Sequence, residues 1–405
     1  MNITHYIIYA LLLACAATPA QLSAATPGAT AESMADSSAT GHYVHKLMLD
    51  YKPGAILHTN DFLRGSNPEV RTMNHNMSYH LKYAFSAPEQ SLDAQVYRDA
   101  YQGVGVMYND FNPQLGNPLS VYLMQGARIA SLGSRASLNY EWNFGLAFGW
   151  NPYDRDANPD NKVIGSRVTA YIGLDLYVRW IVSRSLDLNL GLGATHFSNG
   201  NTQYPNLGLN TAALRLGAAY YIGRQSARLL HRHAPLPPVR HGMSYDLIVY
   251  GAWRQMALYE GDYSFLLGGK SAVMGFNLNP MYRLNHWLKV GASLDGTYDR
   301  TVNLIELPTA GGEPEVPYER PSATKQMTLG MSGRVEFTMP YFDINFGIGH
   351  NMLNARGEFG GVYEVLALKI KVARRALLHI GYSLNDFHTP KHLMLGVGWR
   401  FGHAE

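Results

Sequence analysis

One cysteine, Cys15, stands in 405 residues, which excludes a disulfide framework and any multi-cysteine metal or iron–sulfur site. Charge is scarce as well: charged residues make up 16% of the chain and the formal net charge is +3, where a soluble domain carries roughly 25% charged residues. So small an excess of base excludes the concentrated positive surface with which a nucleic-acid protein displaces phosphate counterions. Although 46% of the residues are hydrophobic, no run of about 18 apolar residues occurs, which excludes a membrane-spanning helix. Acid is missing locally too, since no Asp or Glu falls between Leu188 and Tyr245. What the chain has in abundance is Gly (40) and Tyr (27). An apolar, Gly- and Tyr-rich chain without a spanning helix points to an all-β, antiparallel transmembrane barrel.

The amino terminus agrees with export. Ile7 to Ala17 has the length of a signal-peptide core and is followed by the small residues Ser23-Ala24-Ala25, so residues 1–25 read as a signal peptide. An alternative is a lipobox at Leu12-Leu13-Ala14-Cys15, in which Leu13 fits poorly and Cys15 would carry the lipid. Residues 26–41, rich in Ala, Ser and Thr, read as a disordered lead-in.

Alternation dominates the rest. Trp142, Phe144, Leu146, Phe148 and Trp150 share one parity, opposite Asn143, Gly145, Ala147 and Gly149. Successive strand side chains point to opposite faces, so this segment has an apolar face for lipid, with Trp at both ends, and a small or polar face for a lumen. The last segment repeats the pattern, with Leu393, Leu395, Val397, Trp399 and Phe401 outward. About sixteen segments of this kind can be counted, which is enough for one sixteen-stranded barrel or for two of eight. Tight turns at Ser183-Arg184, 284–286, Pro340 and Arg374-Arg375 mark the periplasmic side, and the longer loops 58–73, 151–162, 199–207 and 301–325 the extracellular side. Segments 86–100 and 224–241 are long although they fall on the turn side. The second is basic and Pro-rich, and it separates a first half, 42–223, from a second, 242–405. Because two tandem barrels would need an assembly signal in mid-chain, one barrel in a bacterial outer membrane is the expectation, with an eight-stranded catalytic barrel plus a second eight-strand unit as the alternative.

Along 185–198 the outward parity runs Leu186, Leu188, Leu190, Leu192, Ala194, His196, Ser198. His196 and Ser198 therefore share a face, about 7 Å apart at Cα, at the outer end of a lipid-facing stripe. Two readings stand at this point. They are rim residues where the apolar band ends and polar groups cost less, or they are a base and a nucleophile, with Asn210 on the next strand fixing the imidazole tautomer.

His196-Phe-Ser198-Asn199, followed by Gly200, Pro205-Asn206 and Gly208, resembles the motif of the outer-membrane lipid A 3-O-deacylases, also called acyloxyacyl hydrolases. The stretch Gln102-Gly-Val-Gly-Val, Leu115-Gly-Asn-Pro118 and Tyr122 is similar to the longer members of that family. The resemblance, strongest over 100–223, implies an eight-stranded catalytic barrel that hydrolyses the 3-position acyl ester of lipid A in lipopolysaccharide. It implies Ser198 as nucleophile, His196 as general base, and Asn199 and Asn206 shaping the oxyanion site, with no metal and no cofactor. Implied partners are lipid A of the outer leaflet and the outer-membrane assembly machinery; pairing with a second copy is left open. The family's third catalytic member is Glu, and the position twelve residues after Ser198 is Asn210. That exchange keeps open a weakly active or inactive barrel serving as a pore or structural protein, and a phospholipase-like barrel. In the second half Met352 and Asn354 stand where His196 and Ser198 would, so that half is expected to be non-catalytic.

Other patterns are weaker. Asp154-x-Asp156-x-Asn158-x-Asp160 alternates oxygen ligands as a calcium loop does, but its twelfth residue is Gly165. His231-x-His233 lies in the linker and reads as solvated. Gln102-Gly-Val-Gly sits in a strand rather than before a helix, so it does not suggest a nucleotide. Asp187-Leu-Asn-Leu-Gly-Leu-Gly193 is faintly echoed by Asp343-Ile-Asn-Phe-Gly-Ile-Gly349, suggesting duplication of the halves.

Overall fold

Alternating side chains and short turns produce two closed barrels of eight strands in a computed structural model of the chain. The described residues are 42–88, 91–227, 229, 236–255, 257–260, 263–266, 269–307, 318–354, 357–387 and 389–402. The signal-peptide and lipobox segments, the lead-in and His231-x-His233 lie outside them. The first barrel contains β1 (Val44–Leu57), β2 (His75–Ser86), β3 (Tyr101–Asp110), β4 (Gly116–Ser131), β5 (Ala136–Trp150), β6 (Val168–Ile181), β7 (Leu186–Ser198) and β8 (Leu209–Ile222). The second contains β9 (Met243–Arg254), β12 (Ser271–Arg283), β13 (Leu288–Asp299), β16 (Met327–Thr338), β17 (Phe342–Leu353), β18 (Val362–Lys371), β19 (Ala376–Asn385) and β20 (Thr389–Gly402). Two small hairpins, β10 (Ala257–Glu260) with β11 (Tyr263–Leu266) and β14 (Ile305–Glu306) with β15 (Tyr318–Glu319), lie outside the barrels.

The expectation of a single large barrel is overturned, and the alternative of two eight-stranded units holds. β8 returns to pair with β1, with Met48 opposite Ala219, and β20 pairs with β9, with Val397 opposite Val249. In lipid an unpaired strand edge leaves backbone groups with no partner, so each half closes on itself. Eight strands enclose a space that side chains can just fill, and each half carries the charges to fill it. In the first lumen Lys82 pairs with Glu141 and, at 2.6 Å, with Asp50, Lys52 lies 2.7 Å from Asp175, and Arg215 reaches Asp50 at 2.9 Å. In the second, Lys369 lies 2.6 Å from Glu336, Arg400 lies 2.7 Å from Asp246, and Arg334 lies 2.8 Å from Asp295. One cavity of about 110 Å³ lies at the turn end of the first barrel and one of about 50 Å³ in the second, each with room for a few waters.

Outside, the parity inverts. Ile172, Leu174, Leu176 and Trp180 on β6 and Leu188, Leu190 and Leu192 on β7 are exposed, an apolar belt that only a bilayer covers. The outward face of β5 differs, since Leu138, Tyr140, Trp142 and Phe144 are all half-buried. Trp142 packs edge-on against Phe342 of the second barrel at 4.4 Å, and Trp142 and Phe144 join a cluster with Met339, Phe342 and Leu368. Gln125, opposite Trp142 on the same face, is fully buried; its Oε1 accepts from Trp142 Nε1 (2.7 Å) and its Nε2 donates to the Tyr140 hydroxyl (3.2 Å). The second barrel thus covers one lipid-type face of the first. At the turn end Tyr97, just after a short helix (Leu92–Val96) in the long segment 86–100, donates its hydroxyl proton to the carbonyls of Thr338 and His286.

Trp150 does not face lipid as the alternation predicts. Gly149 has φ +94, which interrupts the alternation, and Trp150 turns inward, its indole N–H donating to Thr169 Oγ1 at 2.9 Å. Residues 163–167 run irregularly before β6, where Asn161 Oδ1 accepts from the N–H groups of Val163 and Ile164. The echo between halves falls on β7 and β17, the seventh and the fifth barrel strands of their respective halves. It is a likeness of strand pattern rather than of barrel position.

Candidate active site

The outer end of β7 is built from two faces with different tasks. Its inward side chain, Phe197, is fully buried and packs on Trp150 (5.1 Å), Tyr171 (5.5 Å) and Phe111 (6.0 Å). This aromatic plug fixes the strand end from within and so fixes the direction of the neighbouring outward residues, His196 and Ser198. His196 lies directly opposite Asn210 on β8, and its Nδ1 is 2.7 Å from Asn210 Oδ1. An amide oxygen only accepts, so Nδ1 is the donor of this pair, and in the neutral ring the lone pair falls on Nε2.

Ser198 Oγ is held by the loop that follows. It donates to Asn206 Oδ1 at 3.2 Å and accepts from Asn206 Nδ2 at 2.9 Å and from the Gly200 N–H at 3.1 Å. The Asn199 N–H also donates to Asn206 Oδ1, at 2.9 Å, while Asn199 Nδ2 donates to the Gln203 carbonyl at 2.7 Å. All five residues singled out in the sequence therefore come together at one end of β7 and β8. The hydrogen bonds divide them into a His196–Asn210 pair and a Ser198–Asn199–Asn206 group.

Residues from distant segments support this cluster. The Gly208 and Leu207 N–H groups donate to the carbonyls of Val163 (3.2 Å) and Lys162 (3.3 Å), tying the loop to the segment before β6. Gly208 has φ +73, and a Cβ there would lie 3.0 Å from His196 Cε1, so a glycine lets the imidazole approach the backbone closely. Sequence reading missed these supports, together with Gln255, Tyr382, Lys391 and Leu393 of the second barrel, because no local pattern announces a contact made across two barrels.

The remaining candidates lie elsewhere. Asp154 folds back on its own turn, its Oδ1 accepting from the N–H groups of Asp156 and Ala157 at 3.0 Å each, and these two bonds hold its carboxyl below the usual range. Met352 is exposed, and Asn354 Nδ2 is occupied by the carbonyls of Thr324 and Met327.

Comparison with known proteins decides the family. The model described as "Lipid A 3-O-deacylase (PagL)" matches residues 75–219, and that described as "Acyloxyacyl hydrolase, C-terminal domain" matches residues 243–403. The chain belongs to the acyloxyacyl hydrolase family. It is accordingly a bacterial outer-membrane barrel protein of a lipid A deacylase family, an ester hydrolase by kind. Solved structures similar to it include the outer membrane enzyme PagL (14% identity, 42% of this chain and 97% of that one, TM-score 0.28). Neisserial surface protein A is similar at 12% identity over 44% of this chain and 95% of that one, with TM-score 0.28. No curated protein matches the chain.

For an acyloxyacyl hydrolase, the packing of Gly208 on His196 has a testable consequence. Gly208→Ala is expected to displace the ring and to lower kcat by roughly 10- to 100-fold, since about 1 Å of misplacement can cost 10²-fold. The heat-modifiable gel mobility that reports a folded barrel should be retained. An unchanged kcat would show that the ring position does not matter.

Proposed function

We propose that the protein is a serine esterase that removes the acyl chain ester-linked at the 3-position of lipid A. Ser198 is the nucleophile, His196 the general base, Asn210 the group that orients His196, and Asn199 and Asn206 line the oxyanion site. The observation that supports this most is the 2.7 Å bond from His196 Nδ1 to Asn210 Oδ1, two residues from a serine on the same lipid-facing side. In that position the ester of an outer-leaflet lipid reaches the hydroxyl without leaving the membrane.

The steps balance without a cofactor. Ser198 Oγ swings from Asn206 toward His196 Nε2, a tightening common between resting and working geometries, and attacks the ester carbonyl carbon as its proton passes to Nε2. The Asn206 Nδ2 donor, released from Oγ, faces the oxyanion. Collapse breaks the bond to the lipid A oxygen, which leaves with the proton from Nε2. Water then adds to the acyl-serine by the same route, freeing a fatty acid and restoring Ser198. The second barrel, with Met352 and Asn354 at the echoed positions, takes no part in these transfers.

Asn210 holds the tautomer but supplies no charge to the imidazolium. Hydrogen bonds to charged groups exceed neutral ones by about 1 kcal/mol, so Asn210→Asp or Asn210→Glu is expected to raise kcat roughly fivefold and Asn210→Ala to lower it. The test is mass spectrometry of lipid A incubated with the purified protein in detergent. Loss of one hydroxyacyl chain from lipid A, accelerated by the acidic variants, supports the reading. Cleavage of glycerophospholipid alone would replace it with the phospholipase reading. No cleavage by the protein or by Asn210→Glu would end it.

A further inference from the structure

The loop carrying Asn199 and Asn206 leans on the second barrel. Gln255, the residue after β9, touches it twice: its backbone N–H donates to the Asn201 carbonyl at 3.0 Å, and its Oε1 accepts from the Tyr204 N–H at 3.1 Å. Asn201 Nδ2 also reaches the Lys391 carbonyl, at 3.5 Å. From Asn201 the chain of bonds runs inward, because Asn201 Oδ1 accepts from Asn206 Nδ2 at 3.1 Å, and Asn206 holds Ser198. Packing reinforces the bonds. A Cβ placed on Gly200 would lie 3.3 Å from Leu393 Cβ and 3.5 Å from Tyr382 Cε2, so two outward side chains of β20 and β19 close over the turn. The loop is thus held from one side by the segment before β6 and from the other by the second barrel.

The geometry points to a second barrel that is a working part of the esterase: through Gln255 it holds the 199–206 loop, and with it Asn199 and Asn206, where the reaction needs them. Gln255 is then a positioning residue, and this inference rests on the esterase reading above. A polar loop at a membrane interface has many near-equal conformations, and each wrong one misplaces the oxyanion donors. Two bonds from a neighbouring rigid barrel remove that freedom without placing any new group at the reacting atoms.

The test uses the full chain in detergent with lipid A, comparing the parent with Gln255→Ala, Gln255→Glu and Ser198→Ala. Gln255→Glu keeps an acceptor for the Tyr204 N–H, whereas Gln255→Ala removes it. Expected is a kcat about tenfold lower in Gln255→Ala with KM within about twofold, and recovery of most of kcat in Gln255→Glu. Hydrogen exchange over 199–206 should quicken about tenfold in Gln255→Ala but not in Gln255→Glu, and in Ser198→Ala only at Gly200, whose N–H loses Ser198 Oγ. Unchanged exchange and kcat in Gln255→Ala would overturn the inference, as would equal losses in Ala and Glu accompanied by a lower unfolding midpoint. If the parent and Ser198→Ala are equally inert toward lipid A while exchange still quickens, the esterase reading is what fails, and the loop is shown to be held for another purpose.

Discussion

Replacing Ser198 with Ala is expected to leave lipid A at its starting mass under conditions in which the parent protein removes one hydroxyacyl chain. Loss of the nucleophile from a Ser–His centre lowers kcat by about 10⁴ or more, and what remains comes from the oxyanion donors and binding. The fold should not suffer. Ser198 is the last residue of β7, half-buried on the outer side, and the strand end is anchored by Phe197 on the inner side. The removed hydroxyl leaves Asn206 with a bond to the Asn199 N–H. The check is therefore double: mass spectrometry of the lipid and gel mobility of the folded barrel. A Ser198→Ala protein that hydrolyses at the parent rate would exclude a serine mechanism and move attention to a water activated directly by His196.

The second large effect concerns stability. Arg215 is fully buried in the first lumen, with its guanidinium 2.9 Å from Asp50, 3.1 Å from Glu141 and 3.4 Å from Asp175, and 4.1 Å over the ring of Tyr177. Those three carboxylates face three cations, Lys52, Lys82 and Arg215, so the cluster is neutral as it stands. Arg215→Leu leaves one buried negative charge in excess. Removing one partner of a buried ion pair costs about 3–5 kcal/mol, a large share of the 5–15 kcal/mol that holds an ordinary domain. The urea midpoint of the folded barrel should fall sharply, and adding Glu141→Gln to Arg215→Leu should restore much of it by removing the surplus charge. A midpoint unchanged in Arg215→Leu would mean that the lumen is hydrated enough to tolerate the imbalance.

Much of the fold was legible because a strand reports its two environments residue by residue. The alternation along Leu186–Ser198 and Leu209–Ile222 located β7 and β8 and put Asn210 on the same face as His196; their direct pairing across the ten-residue loop between the strands came from the structure. Where the alternation was interrupted the reading slipped. Trp150 turned inward because Gly149 adopts φ +94, and Val163 and Ile164 are buried in an irregular segment shaped by Asn161. Glycine and asparagine permit such departures but do not require them, so the sequence alone could not distinguish Gly149 from the other glycines of the barrel.

Period-two patterning by itself determined the all-β class, the roughly sixteen strands, most of their outward and inward faces and the shared face of His196, Ser198 and Asn210, because each is a local consequence of backbone geometry; Asn199 and Asn206 entered through the family resemblance. Which strand closes on which was decided only by the tertiary structure. β8 has the same alternation whether its next neighbour is β9 or β1, and the choice falls to the lumen: Arg215 finds Asp50, Glu141 and Asp175 only if the first eight strands form their own ring. The same closure sets Gln255 beside Tyr204, a contact between residues 51 positions apart that no periodicity in either segment encodes.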